Sequence, residues 1–317
     1  MKRIALLTFI LSGLLLFTGC EELNDIFTQP PAYTGVAQTE REAPPSVNEV
    51  PSLPYSNQGA SREIGTAVVS FIDVGQGDSI LIQTENHVML IDAAHQRYSY
   101  RIISYLQSYD ISFIDVVVAA HPHADHIGGF PAVFNAFEVG VIYKPDVEHT
   151  TLTFGRFIDS IAYHEIDIIM ALAGDYFILD DVHFSVVAPT GYGYSNLNNH
   201  SVVIRMAHGD TSFLFTGDTE AKAELRMLAY GRYISSTVLQ VPHHGSRSST
   251  TQEFLDAVSP VYVVISVGYG NQYGHPHDVV IGRLENFGAT ILRTDIHGTV
   301  KFVSDGIGLE VQTAVAQ

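Results

Sequence analysis

The stretch His121-Pro-His-Ala-Asp-His-Ile-Gly-Gly129 constrains this chain more than any other, because it sets three imidazoles and a carboxylate within six positions. Packing so many ligand groups together is unfavourable unless cations bind them. In extended backbone, side chains two apart share a face, so His121 and His123 are placed to close on one metal ion. Asp125 and His126, carried round the following turn, reach a second. The mostly apolar run Phe113 to Ala120 comes first, as expected for a site at the end of a strand. Gly128 and Gly129 are expected to let the chain turn tightly. A polar loop that happens to be rich in histidine would account for one His-x-His, but not for four ligand-type residues in this position.

The amino terminus reads as a lipoprotein signal. Lys2 and Arg3 lead into an apolar stretch from Ile4 to Phe17, broken only by Thr8, Ser12 and Gly13, and Leu16-Phe-Thr-Gly-Cys20 follows. Spanning a bilayer takes about 20 residues, so the shorter stretch predicts a cleaved signal peptide over 1–19 rather than a retained membrane helix. The usual lipobox has Leu three positions before its cysteine; here Phe17 stands there, with Leu16 one further back. Cys20 is the single cysteine, which excludes an intramolecular disulfide and suits lipidation of that thiol. The expected location is the outer side of the bacterial cytoplasmic membrane, at the cell surface or in a periplasm, with the membrane itself as partner through the lipid. From 20 to 65 Pro, Ser, Gln, Asn and acids dominate, with Pro30-Pro31 and Pro44-Pro45, which predicts a flexible stalk. Residues 66–317 suit one domain with a sizeable core, with no internal repeat and no second apolar segment of membrane length.

Charge narrows the choice of substrate. With 34 acids against 16 Lys and Arg, the chain carries −18; the leader holds two positive charges and the stalk a net five negative, which leaves −15 on the domain. Proteins that rely on long-range attraction to nucleic-acid phosphates are basic. Any phosphodiester substrate must therefore be held by metals and a few local donors.

Short β-branched runs bounded by Gly, Asp or Asn predict strands at Ala67–Ile72, Ser79–Gln83, Val88–Ile91, Phe113–Val118, Val182–Val187, Val202–Met206 and Ser212–Phe215. Later ones are expected at Thr237–Val241, Val261–Ser266, Thr290–Arg293 and Val300–Val303. Apolar residues at helical spacing predict helices over Tyr98–Leu106, Leu152–Ala162, Glu220–Leu228 and Val279–Phe287. The fold class expected is α/β (α+β), a four-layer αββα sandwich. Val116–Ala120 and Val261–Ile265 read equally as buried strand or core helix by periodicity, and β-branching favours strand.

Further candidates follow other apolar runs. Asp218 closes Ser212-Phe-Leu-Phe-Thr-Gly-Asp218 and reads either as a carboxylate bridging two metals or as the N-cap of the helix beginning near Glu220. Val241-Pro-His-His-Gly-Ser246 offers His243 and His244; Tyr273-Gly-His-Pro-His277 offers His275 as a proton donor or phosphate contact. His87, His95, His149, His164, His183, His208 and His297 are scattered singly and are assigned surface or packing roles.

His-x-His-x-Asp-His resembles the signature of the metallo-β-lactamase-fold hydrolases, whose members generally hold one or two metals, often zinc. Together with Asp-Val-Gly-Gln-Gly-Asp78-Ser, Phe-Thr-Gly-Asp, His-His-Gly-Ser and Tyr-Gly-His-Pro in this order, it closely resembles the hydrolase domain of the ComEC competence DNA-uptake family, over about Val68 to Val303. The resemblance implies that Asp218 bridges the metals. Of the pair in His-His-Gly-Ser, His243 is favoured over His244 as the ligand, and the other is expected to orient a ligand or touch substrate. Asn198-Asn199-His200-Ser201 lies where such proteins often supply a third histidine, so His200 is a candidate ligand, although this branch commonly reads Asn-x-Asn-Ser there.

The expected ligand set is thus His121, His123, Asp125, His126, His200, Asp218 and His243, for two divalent ions, zinc first and manganese second. Asp125, His244 and His275 are expected to take part in the chemistry. The reaction expected is hydrolysis of a phosphodiester, extracellular DNA being one candidate. An esterase, lactamase or phosphodiesterase acting on an envelope polymer or small molecule is the alternative enzyme; a metal-binding protein without turnover is the alternative outside enzymes. No protein partner is indicated.

Overall fold

The computed structural model describes residues 65–315. The signal peptide, Cys20 and nearly all of the predicted stalk lie outside the described residues.

The chain builds the same plan twice. β1 (Ala67–Phe71), β2 (Ile80–Gln83) and β3 (Val88–Ile91) pair antiparallel, after which β4 (Phe113–Val118), β5 (Glu138–Lys144) and β6 (Asp167–Met170) are added in parallel. The parallel steps cross over through α1 (Ser99–Gln107), the single turn α2 (Ala124–Ile127), α3 (Phe130–Ala136) and α4 (Leu152–Tyr163), since parallel neighbours need such connections. A second sheet begins with the antiparallel meander β7 (Tyr176–Leu179), β8 (Val182–Ala188), β9 (Val203–His208) and β10 (Thr211–Phe215). It then turns parallel through β11 (Val238–Gln240), β12 (Tyr262–Ile265) and β13 (Thr290–Arg293), with α5 (Ala221–Ala229), α6 (Gln252–Val258) and α7 (Asp278–Phe287) between them. β14 (Val300–Ser304) and β15 (Leu309–Thr313) return to the first sheet beside β1. The sheets run β15-β14-β1-β2-β3-β4-β5-β6 and β13-β12-β11-β10-β9-β8-β7.

Three separate apolar clusters define four layers. Phe71, Phe184, Phe213, Phe215 and Phe302 fill the space between the sheets, with Phe302 edge-on to Phe71 and Phe213. Outside the first sheet, Leu90 and Val117 pack with Ile102, Phe130 and Phe157 of the helices. Outside the second, Leu239 and Val263 pack with Met227, Phe254 and Leu284. The expected αββα sandwich is what forms, because strands apolar on both faces need a covering layer on each side.

Val88–Ile91, Phe113–Val118 and Thr290–Arg293 are strands over the residues expected, and the ambiguous apolar runs are strand over Val116–Val118 of β4 and Tyr262–Ile265 of β12, with Ala119, Ala120 and Val261 just outside. β5, β6, β7 and β15 are additional. β6 and β7 end their sheets with apolar side chains on the solvent face, Ile168 and Met170 in β6 and Tyr176 and Ile178 in β7, so the apolar–polar alternation by which a half-buried strand is read from sequence is absent. The strand tips that matter are the carboxyl ends of β3, β4, β10, β11 and β12, which lie where each sheet turns parallel. In open α/β sheets, crevices at such ends are where ligands bind. Among the described residues, no helix is long and apolar enough to cross a membrane.

Candidate metal centre

Chain leaving β4 enters the centre at once. His121 is buried and His123 half-buried, with His121 Nε2 3.0 Å from His123 Nδ1. The single turn α2 then presents Asp125 and His126, as the spacing predicts. Gly128 and Gly129 serve differently from expectation: both have ordinary right-handed backbone. Their role is close approach, for a Cβ on Gly129 would run into the Ala93 carbonyl, and one on Gly128 would lie 2.7 Å from the Gln96 nitrogen.

Asp218, buried at the end of β10, faces both halves of the motif. Its Oδ2 is 3.5 Å from His121 Nε2, and its Oδ1 is 3.1 Å from His126 Nε2 and 3.5 Å from His244 Nε2. Ligand atoms of His121, His123 and Asp218 fall within 4.8 Å of one another, and so do those of Asp78, His126, Asp218 and His244. Within the second group, Asp78 stands on the wrong side of the rings to share an ion with their Nε2 atoms. It is 3.7 Å from Nδ1 of both His126 and His244, edges already engaged by Asp92 Oδ2 at 2.7 Å and the Ser266 carbonyl at 2.8 Å. On the Nε2 side, the additional oxygen is Asp125 Oδ2, 3.6 Å from His244 Nε2.

The residues fit divalent metal binding. His126 Nε2, His244 Nε2 and Asp218 Oδ1 are buried without a hydrogen-bond partner although they converge on one point. Buried polar atoms are otherwise nearly always paired, and an Nδ1 bonded to oxygen with Nε2 free is the arrangement of a metal-ligating histidine. With protons as the only cations, the cluster is strongly polarised. Burial opposes charge on His244, yet Asp218, Asp78 and Asp125 pull it up to about 9. His126 is likewise raised, against burial, by Asp218 and Asp92. Burial would raise Asp218, but His126, His244 and His121 hold it well below the usual carboxylate range. His121 is held well below its usual value by burial and by His126.

The candidates divide as follows. His121, His123, Asp125, His126 and Asp218 come together. Of the histidine pair, His244 is the buried member within the second group; His243 lies at the pocket wall, 3.6 Å from Asp218 Oδ2. His200 lies in neither group: its Nε2 is 3.1 Å from the Tyr194 carbonyl and its ring packs against Tyr192 and Tyr194. The 3₁₀ turn Leu197–His200 sends Asn198 into the pocket instead. His275 lines the same pocket, 5.4 Å ring to ring from His243 and stacked with Tyr273. Burial, then the neighbouring His244 and His243, push it down to about 4, which makes it a neutral donor or acceptor.

Sequence reasoning passed over several contributors. Asp92 follows β3 at φ 58 and also accepts from the Ala120 amide at 2.8 Å; an acid directly behind an apolar strand was the available signal. Gln240, a buried amide on β11, donates to Asp78 Oδ2 at 2.8 Å. His149, assigned no chemistry above, stands in the pocket wall with its ring 6.1 Å from that of His123. The open cleft has a volume of about 440 Å³, and its lining contains no Lys or Arg.

The Asp-Val-Gly-Gln-Gly-Asp-Ser turn buttresses the centre. Asp78 N donates to the Asp125 carbonyl at 3.2 Å, and a Cβ on Gly77 (φ 125) would collide with that same oxygen. Gly77→Ala is therefore expected to displace α2, lowering metal affinity at least tenfold and Tm by several degrees; parallel metal titration and thermal melting check this.

A family model described as the metallo-beta-lactamase superfamily matches residues 72–269. The chain belongs to this superfamily. It is 34% identical over 251 residues to competence protein ComA of Neisseria gonorrhoeae, a match covering 78% of this chain and 33% of that protein. It is 28% identical over 259 residues to ComE operon protein 3 of Bacillus subtilis (strain 168), covering 74% and 32%. The chain thus spans about a third of the length of these curated relatives. Among solved structures, the metallo-beta-lactamase fold protein YhfI from Bacillus subtilis is similar in fold, with a TM-score of 0.51 at 11% identity over 76% of this chain and 100% of that one. Superfamily membership and the His/Asp clusters together support a metal-dependent hydrolase.

Proposed function

We propose that this superfamily member is a dinuclear metal-dependent phosphodiesterase, with single-stranded extracellular DNA as the first substrate to try. The observation that carries the reading is Asp218, whose two oxygens face two separate groups of buried imidazoles. His121, His123 and Asp218 would hold one ion; Asp125, His126, His244 and Asp218 the other, with zinc the first candidate and manganese the second. Such a pair polarises a phosphoryl oxygen and acidifies water at neutral pH.

The chain's own residues set the geometry. Asp92 and the Ser266 carbonyl fix the tautomers of His126 and His244, so that both Nε2 atoms face inward. Donors and acceptors on the cleft wall, His149, Asn198 and His275, are placed to orient substrate oxygens, while Tyr273 offers an exposed ring at the rim. A cleft without Lys or Arg in an acidic domain disfavours grip on duplex backbone. The resemblance to a DNA-uptake family, with a competence protein matching over 78% of the chain, supports DNA as the polymer. A lipid on Cys20 would tether the enzyme outside the cytoplasmic membrane.

The test is cleavage of single-stranded DNA, bis(p-nitrophenyl) phosphate and a β-lactam by the purified protein, with and without chelator. Chelator-sensitive turnover of the first two is expected. Turnover of the lactam alone, or none of the three despite bound metal, would sink this reading.

A further inference from the structure

We infer that the first metal position is completed by His243, held in place by Glu220, and not by a histidine from the 196–200 segment; this rests on the dinuclear reading above. Both rings of the second position have Nδ1 occupied by an oxygen, which leaves Nε2 as the ligand atom. His243 follows the pattern more loosely, with Ser248 Oγ 3.3 Å from its Nδ1 alongside Glu220 and Asn198 Nδ2 3.5 Å from its Nε2. Its Nδ1 lies 3.3 Å from Glu220 Oε1, and its Nε2 lies 3.6 Å from Asp218 Oδ2, the oxygen that His121 Nε2 faces at 3.5 Å. Ligands roughly 2.1 Å from a tetrahedral zinc stand about 3.4 Å apart, so each nitrogen is at a shared ligand's separation from that oxygen, while His243 falls outside the 4.8 Å group of His121, His123 and Asp218 and would turn inward to join it.

Glu220 is itself anchored from three directions. It accepts from Asn196 Nδ2 at 2.8 Å, from Ser248 Oγ at 3.0 Å and from Asn198 Nδ2 at 3.3 Å. An exposed acid with no orienting duty would not require such a cradle. The backbone points the same way: His243 and His244 are successive non-glycine residues in left-handed conformation, φ 50 and φ 53. Non-glycine residues are strained there, and such strain persists where a site requires it. Here it sends consecutive imidazoles to opposite oxygens of Asp218, His244 to Oδ1 and His243 to Oδ2. Glu220 is then a positioning residue, acting on the metal through His243 as Asp92 acts through His126.

One competitor is on the wall. Asn198 comes from the segment where a third histidine was expected, and its Oδ1 is buried without a hydrogen-bond partner. The experiment separates the two by titrating the metal-stripped full chain with Zn²⁺ in a calorimeter and with Co²⁺ followed by its visible spectrum. Wild type is expected to take up two equivalents. His243→Ala should retain one tight equivalent and lose at least 100-fold in affinity for the other, with loss of one Co²⁺ spectral component. Glu220→Gln, which preserves shape, should weaken that same equivalent by about 10–100-fold. His200→Ala should bind as wild type. Melting in chelator verifies that each variant is folded.

Two equivalents at wild-type affinity in His243→Ala would overturn the inference and leave the dinuclear reading intact, as would a loss that follows Asn198→Ala instead. Wild-type protein that binds no metal would overturn both. No turnover is read, so an error in the substrate leaves this result standing.

Discussion

Asp218→Ala should abolish hydrolysis and metal binding together, with turnover falling by roughly 1,000-fold or more, about 4 kcal/mol of transition-state stabilisation. No other carboxylate among the described residues faces both ligand groups at 3.1–3.6 Å. Its loss therefore parts the two ions as well as weakening each. The same substitution carries a second effect that ordinary active-site changes lack. His126 and His244 are fully buried, and Asp218 is the largest charge holding each of them protonated when metal is stripped. Removing one partner of a buried ionic cluster costs about 3–5 kcal/mol. Chelated Asp218→Ala should accordingly melt well below chelated wild type, whereas chelated His200→Ala, altered outside both groups, should spare the centre. Metal analysis, turnover and melting of the two variants check this. Wild-type metal content in Asp218→Ala would refute the shared-carboxylate geometry.

What could be read from sequence follows the reach of local chemistry. His121, His123, Asp125 and His126 lie on one stretch whose turn is set by their own spacing, so their convergence was visible before folding. Asp218 was ambiguous with a helix cap, because nothing local says what lies across a cleft; β10 brings it opposite β4 only through the sandwich. The choice between His243 and His244 could not be made from a helical or extended template. Both residues are left-handed, and no periodicity rule assigns faces to that conformation. The placement of His200 was hidden for a related reason: a 3₁₀ turn with Asn198 inward puts a residue two positions on against Tyr192 and Tyr194. Asp92, Gln240 and Glu220 were hidden because their work is done on residues distant in the chain. Edge strands β6 and β7 were missed because their exposed positions, Ile168, Met170, Tyr176 and Ile178, are apolar and so erase the apolar–polar alternation that marks a half-buried strand.

The stability of the stripped protein should fall between pH 6.5 and 9, while that of the metal-loaded protein should not. His244 is pulled up to about 9 by Asp218, Asp78 and Asp125 against burial, from about 6.5 in the unfolded chain. A group whose folded pKa is raised stabilises fully below its unfolded value and loses that contribution as pH climbs through the folded one. His126, raised by Asp218 and Asp92 against burial, adds in the same direction. Asp92, raised to about 6 by burial, finishes its titration at the low edge of this window and, being raised, acts in the same direction, while Asp218, depressed well below the usual range, stays ionised through it. Neither carboxylate opposes the trend. Metal ions take the place of the protons, and their binding releases them, so apparent metal affinity should rise with pH over the same window. At metal concentrations about 1,000 times Kd, each site adds roughly 4 kcal/mol, or about 8–16 °C in Tm for a domain of this size. Calorimetric melts at pH 6.5 and 8.5, in chelator and in excess Zn²⁺, should therefore show a gap that widens at the higher pH. A gap of equal size at both would mean that protons and metal ions do not compete for His126 and His244, and the second ligand group would have to be abandoned.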